Sequence, residues 1–400
     1  MKISEICFKD YKAYNGDGGS EKLQQMRLAP LTLFFGKNNS GKSAAIRLPR
    51  LLLGGLECDD ARVLPVDVRG LSYGANFLDL VHGGAFFRRP EFHILGEHNG
   101  DKIDLSVTLY SPTALSADDP PRIWSYMMRM PKLISISGPP EPDATAPAFQ
   151  GLLPPDAYWD PWRKAVRALL DEMVHLGPTR SPVLAAYSNE QFAGLDLRGT
   201  QAPQLLRIDS MLADEVGRWY AENMDGWRLV LKRDNDSFSL QLKRTGPLST
   251  NLSQGGEGLQ QVLPVVVHQL WRQRQGIEAA PFLDVVEQPE LHLHADVQAP
   301  LADLFIDTAL QGRGQILVET NSEPILLRVQ RRIAEGYIAP NQVALYFVDV
   351  TKDKSELRSI KLHPDGEVDW WPAGVFEADF TEVAAIRRAQ KAREPQRRQS

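Results

Sequence analysis

The sequence has little cysteine. Its 400 residues include two, Cys7 and Cys58, which rules out a disulfide framework and offers no metal-ligand spacing. No apolar run approaches the length of a membrane span, so no membrane partner is expected. Positive charge is not in excess either. The formal net charge is −6, so the surface as a whole does not attract nucleic acid, and any DNA contact requires a local patch. No heptad run is long enough for an extended coiled-coil arm. Met1-Lys-Ile-Ser-Glu-Ile alternates as a strand rather than reading as a signal peptide. These absences suggest a cytoplasmic protein. The composition, 43% hydrophobic, is enough for a large core, and the length allows two or three domains.

One stretch organises the rest: Leu31-Thr-Leu-Phe-Phe-Gly36-Lys37-Asn38-Asn39-Ser40-Gly41-Lys42-Ser43. An apolar strand runs into G-x-x-x-x-G-K-S, and helix-compatible Ala44-Ala45-Ile46-Arg47 follows. This is the context a phosphate-binding loop requires. The glycines let successive N–H groups point inward as an anion nest, and the helix adds its positive end. In such a loop Lys42 reaches the β- and γ-phosphates of ATP, and the Ser43 hydroxyl ligates Mg²⁺.

Two further motifs lie beyond the middle of the chain. Asn251-Leu-Ser253-Gln-Gly255-Gly256-Glu257-Gly258 places a serine and paired glycines before an apolar helix, a second anion-binding device. Phe282-Leu-Asp284-Val-Val-Glu287-Gln288-Pro-Glu290 is a β-branched strand ending in carboxylates, where a P-loop fold keeps its Mg²⁺-holding acid. His292 and His294 follow without a third ligand at metal spacing. Gln315-Ile-Leu-Val-Glu319-Thr-Asn321-Ser322 is another buried strand ending in polar residues, with an amphipathic helix after it. More than half the chain separates Lys42 from Glu287, which implies a large insertion inside one nucleotide-binding core.

Other segments read more simply. Strands are expected near 92–95, 103–110, 227–233, 237–243, 343–350 and 356–363, and helices over 161–176 and 205–224. The Pro-, Ala- and Asp-rich stretch 111–149 reads as irregular, with one strand at Lys132-Leu-Ile-Ser-Ile. Tyr11 is a candidate cover for an adenine ring. Trp370–Phe376 reads as a packing turn, and 387–400 as a basic disordered tail.

In this order, the three nucleotide motifs resemble the ABC-type ATPase fold used by SMC proteins and their relatives. More narrowly, Gly36–Ser43, Gly256-x-Gly258-x-x-Gln261-Val-Leu-Pro264, Glu287–His294, Glu319–Ser322 and Trp371-Pro-Ala-Gly-Val-Phe376 resemble stand-alone bacterial AAA family ATPases of the OLD-like and phage-defence groups. No Toprim-type nuclease segment follows the ATPase motifs. The resemblance implies an α/β fold: an ABC/SMC-type P-loop ATPase core, a mixed central sheet with flanking helices, carrying an α+β insertion. The expected divisions are residues 1–110 and 251–380 for the two halves of the core, 111–250 for the insertion and 381–400 for the tail. It also implies a homodimer or higher oligomer, with ATP and Mg²⁺ sandwiched between one P-loop and the partner's Ser253, Gly255 and Gly256. Asn38 would line the γ-phosphate, and Glu287 would be the Mg²⁺-linked acid.

Two positions depart from that pattern. Gln288 stands where a glutamate usually serves as general base, and an amide cannot take a proton at neutral pH. Asn321 replaces the switch histidine and cannot become cationic. Together they should slow hydrolysis by roughly two to four orders of magnitude, unless Glu290 on the same turn substitutes as base. The expected function is a slowly hydrolysing switch or sensor subunit in anti-phage defence or DNA maintenance, with a separate effector such as a nuclease or toxin. Two alternatives are a competent ATPase that powers DNA processing, and a scaffold that cages an effector around a structural nucleotide.

Overall fold

The computed structural model describes residues 1–16, 23–59, 62–112, 120–136, 149–276, 279–351 and 354–372. From the N-terminus, β1 (Lys2–Lys9), β2 (Gln24–Arg27) and β3 (Leu31–Gly36) precede the helix α1 (Lys42–Glu57). A small ribbon, β4 (Asp67–Val68) and β5 (Leu71–Ser72), is followed by β6 (Glu91–His98), β7 (Asp101–Tyr110), β8 (Arg122–Met130) and β9 (Ile134–Ile136). Next come α2 (Asp160–Glu172), β10 (His175–Leu176), β11 (Tyr187–Ser188), α3 (Ala202–Ile208) and α4 (Ser210–Asn223). β12 (Arg228–Arg233), β13 (Ser237–Lys243) and β14 (Ser249–Asn251) lead to α5 (Glu257–Gln261) and α6 (Leu263–Arg274). The chain continues with β15 (Leu283–Glu287), α7 (Ala295–Leu310), β16 (Gln315–Glu319), α8 (Glu323–Ala334), β17 (Val343–Thr351) and β18 (Lys354–Ile360).

The central sheet has the order β10-β15-β16-β3-β17-β18. Its strands run parallel except for the antiparallel β17–β18 pair. Every residue of β3, β15 and β16 is buried, because a parallel sheet is covered on both faces. Alternate residues divide between the two faces. Leu283, Val285, Leu317, Phe34 and Tyr346 join a core that includes Leu48, Leu51 and Leu52 of α1. Val286, Ile316, Val318, Leu33 and Phe35 join the core on the other face, with residues of α6, α7 and α8. Each fully buried apolar side chain contributes about 1.5–3 kcal/mol. The same alternation turns Glu287 and Glu319 toward the α1 face.

A second sheet, β2-β1-β6-β7-β8-β9, packs against the α1 core. It corrects the reading of 111–149 as irregular with a single strand. Arg122–Met130 is a nine-residue strand in register with β7, for example Val107 opposite Tyr126, and β9 pairs with it. β8 and β9 therefore extend the N-terminal sheet across residue 110. The long helix expected over 205–224 is two helices. They break at Asp209, whose side chain accepts the Leu212 N–H and caps α4. Leu176, expected in a helix, closes the edge of the central sheet in β10. Trp370 and Trp371 pack on Phe347, and Trp371 also meets Phe35. Phe376 and the 387–400 tail lie outside the described residues. No described helix is long and apolar enough to cross a membrane.

Candidate functional site

The carboxyl ends of β3, β15 and β16 lie side by side, with Glu287 opposite Glu319 and Glu319 opposite Phe34. In open α/β sheets, ligands bind in the crevice outside these ends. Gly36 adopts φ 149°, and a Cβ there would lie 2.5 Å from the Val348 carbonyl oxygen, so only glycine fits this turn. Lys37, Asn38 and Asn39 are exposed on the loop, Ser40 is buried and its hydroxyl has no partner. Gly41, in the left-handed region at φ 98°, caps α1 with no side-chain bond. The first N–H groups of a 16-residue helix are thus left for a ligand. Lys42 Nζ donates to the carbonyls of Gly36 (2.7 Å) and Lys37 (2.9 Å), so its charge is held within the loop. Burial pulls its pKa down. An open helix end, a lysine in the loop and an adjacent hydroxyl fit the phosphates of a nucleotide and a bound Mg²⁺.

The two strand-end carboxylates have different neighbours. Glu287, expected beside Ser43, is bound by Arg47 Nε and Nη2, both at 2.6 Å, and by His175 Nε2 at 2.6 Å. Burial opposes its charge, but hydrogen bonds from His175 and Arg47 outweigh it and hold the pKa below the usual range. Burial also lowers the His175 pKa, so the neutral ring donates its Nε2–H. Ser43 Oγ instead donates to Glu319 Oε2 at 2.8 Å, and Lys42 Nζ lies 4.0 Å from Glu319 Oε1. Burial pushes the Glu319 pKa up. Beside Ser43 and Arg47 is a cavity of about 180 Å³ that Tyr11, Lys12, Ser72 and Tyr73 also line. Tyr11 packs edge-on against Phe8 and Phe92 and is fully buried, so it belongs to the core and offers no free face to adenine.

Past the end of β15, the chain turns sharply. Gln288 sits at φ 45° and donates its backbone N–H to the Glu319 carbonyl at 2.7 Å. Glu290 Oε1 accepts the Asn321 N–H at 2.7 Å, and burial raises the Glu290 pKa. The Asn321 amide reaches the Asn38 side chain at 3.2 Å. The structure therefore brings Asn38, Asn321, Glu290 and the Gln288 turn to one rim.

Ser253, Gly255 and Gly256 form a separate rim. The Asn251 side chain caps Ser253 N–H at 2.9 Å, and Gln260 Nε2 donates to the carbonyls of Ser253 (3.3 Å) and Gly255 (3.0 Å). Gly256 is exposed, and a Cβ there would meet nothing within 4 Å. Arg180 ties this rim to the strand end. Buried, it bonds the Gln261 carbonyl at 3.4 Å and the Glu287 carbonyl at 2.7 Å, while its N–H meets Gln261 Oε1 at 3.1 Å. His292 lies 3.4 Å from Glu257, and His294 is 85% exposed. Among the described residues no group of three His, Cys, Asp or Glu side chains converges as a metal site.

The sequence reading gave no role to Arg47, His175 or Arg180, and it placed Glu319 at a strand end without assigning it to the site. Arg47 carried a signal, since it lies four residues after Ser43 and so on the same face of α1. His175 and Arg180 carried none, because their partners lie about a hundred residues away in sequence.

Residues 215–326 match the family described as "AAA ATPase domain" (AAA_15), and residues 338–384 match one described as "Protein of unknown function (DUF3696)". No curated protein sequence matches. A crystal structure of an SMC head bound to the C-winged helix domain of ScpA is similar, with 15% identity and a TM-score of 0.52 over 91% of this chain and 98% of that one. The SMC head domain from Thermotoga maritima aligns at 12% identity and TM-score 0.43, over 90% and 100% of the two chains. An SMC head with an extended coiled coil, bound to the C-terminal domain of ScpA derived from Pyrococcus furiosus, aligns at 14% and 0.48, over 97% and 100%. The fold is that of an SMC/ABC-type P-loop ATPase.

Proposed function

We propose that this chain binds ATP with Mg²⁺ and hydrolyses it slowly, as a switch that closes into a head-to-tail dimer. The observation that carries the reading is the P-loop with Lys42 and Ser43 against the carboxyl ends of β15 and β16, beside an amide, Gln288, where a general base would stand. The exposed Gly256 rim supports a sandwich in which one chain's P-loop nucleotide meets the partner's Ser253–Gly256 segment. In that arrangement the γ-phosphate joins two chains, since both donate to its charge. A defence or DNA-maintenance setting with a separate nuclease or toxin effector, or with DNA, rests on the resemblance of the motifs.

The test is the mass of the protein with and without ATP and Mg²⁺, with phosphate release followed in the same sample. The expected result is a doubled mass with slow release, and no doubling in Lys42→Ala. A mass and a nucleotide-binding signal that both ignore Lys42→Ala would refute the reading. The rim geometry favours one second reading, a competent ATPase with Glu290 as base, because Glu290 is half-buried, its pKa is pushed up by desolvation and it is bonded to the Asn321 N–H. Fast turnover that Glu290→Gln abolishes would select it.

A further inference from the structure

We infer that Glu319, and not Glu287, is the carboxylate that faces the divalent cation beside Ser43, Glu287 being taken up by Arg47 and His175. This rests on reading the P-loop as a Mg²⁺–nucleotide site. The two side chains are register partners on adjacent parallel strands and point to one face. Two neighbouring carboxylates must be neutralised separately, and the structure does this asymmetrically.

Glu287 is committed on both oxygens. Arg47 binds one oxygen through Nε and the other through Nη2, and His175 adds a third bond to Oε1. Only 2% of the Glu287 side chain is exposed. A bidentate guanidinium fork is the strongest carboxylate partner a protein offers, and removing one partner of a buried pair is heavily penalised.

Glu319 has no such fork. Oε2 receives only the Ser43 hydroxyl at 2.8 Å, and Oε1 faces Lys42 at 4.0 Å. Two oxygens on adjacent corners of a Mg²⁺ octahedron, each about 2.1 Å from the ion, lie about 3.0 Å apart. The Ser43–Glu319 pair, hydrogen-bonded at 2.8 Å, is close to that edge length. A cation held there replaces the hydroxyl–carboxylate hydrogen bond and needs no ion pair broken.

The experiment uses the full chain, with Mn²⁺ as the probe. Loss of the free-ion EPR signal measures Mn²⁺ affinity in the presence of a non-hydrolysable ATP analogue, and calorimetry in EDTA measures metal-free analogue binding. Glu319→Gln should weaken Mn²⁺ binding at least tenfold and leave metal-free analogue binding within twofold. Glu287→Gln should leave Mn²⁺ affinity within threefold. Because Glu287→Gln leaves Arg47 without its counter-ion, the double variant Arg47→Met/Glu287→Met provides a second reading and should also retain Mn²⁺ affinity. Mn²⁺ affinity that survives Glu319→Gln, or that falls as far in the Glu287 variants, overturns the assignment alone. A wild-type chain that takes up no analogue overturns the P-loop reading and the assignment with it.

Discussion

Asp284 shows how deeply the site depends on its support, and Asp284→Asn is the perturbation that tests this. The carboxylate is fully buried in β15. It accepts from Arg272 Nε (2.9 Å) and Nη2 (3.1 Å), from His268 Nε2 (2.8 Å) and from the Val174 N–H (3.0 Å). Asparagine keeps the shape but removes the buried counter-ion of Arg272, itself fully buried, and leaves it only the partly exposed Glu172 carboxylate at 3.2 Å. Breaking a buried pair from one side costs about 3–5 kcal/mol. Protonation is a milder version of the same change. Burial opposes the charge, yet Arg272 and His268 outweigh it and hold the Asp284 pKa at about 2. A fall of roughly two units from the free carboxylate corresponds to about 2.5 kcal/mol. A depressed folded-state pKa means this contribution is full above pH ~4 and is lost as pH falls through about 2. Urea denaturation at pH 7 should therefore show about 3–5 kcal/mol less stability in Asp284→Asn. The wild type, but not the variant, should lose this increment on acidification. Val174 precedes His175, so the variant should also loosen the His175–Glu287 bond. A loss under about 1 kcal/mol at pH 7 would refute the reasoning, because it would mean Arg272 finds other partners at no cost.

Gln288→Glu restores a carboxylate at the turn after β15 and should raise phosphate release at least a hundredfold, within the ~10²–10⁴ range of general-base catalysis; an unchanged rate would exclude this position from proton transfer. Gly258→Ala places a Cβ 2.3 Å from the His292 carbonyl oxygen, a backbone atom that cannot move aside. It should cost about 1–3 kcal/mol in thermal or chemical denaturation, and full stability would show that α5 is free to shift. Lys42→Ala should abolish detectable binding of a fluorescent ATP analogue, while circular dichroism stays that of the wild type.

The sequence showed its short-range features clearly. The strand before Gly36, the β15 and β16 runs and the amphipathic α8 appeared through periodicity, because each pattern reports a face the sheet or a core must cover. The P-loop was legible because its chemistry is contained within eight consecutive residues. Arg122–Met130 was hidden by its Pro- and Ala-rich flanks, and its pairing with β7 is what defines it as a strand. The two-residue β10 leaves no period to read. Inside the site, the order of motifs located Glu287 and Glu319 at strand ends but not their neighbours. Which carboxylate meets Ser43 is decided by Arg47 and His175, and these arrive from α1 and from beyond α2.

Arg180 gives the two rims of the molecule a shared lever. One fully buried guanidinium spans from the last carbonyl of α5 to the last carbonyl of β15. Close packing leaves such a side chain no slack to absorb movement. A tilt of the Gly256 rim must either drag the Glu287–Gln288 peptide with it or break a bond that water cannot replace. Whatever presses on α5 from outside is therefore reported to the end of β15 within the same chain, with no need for the central sheet to bend.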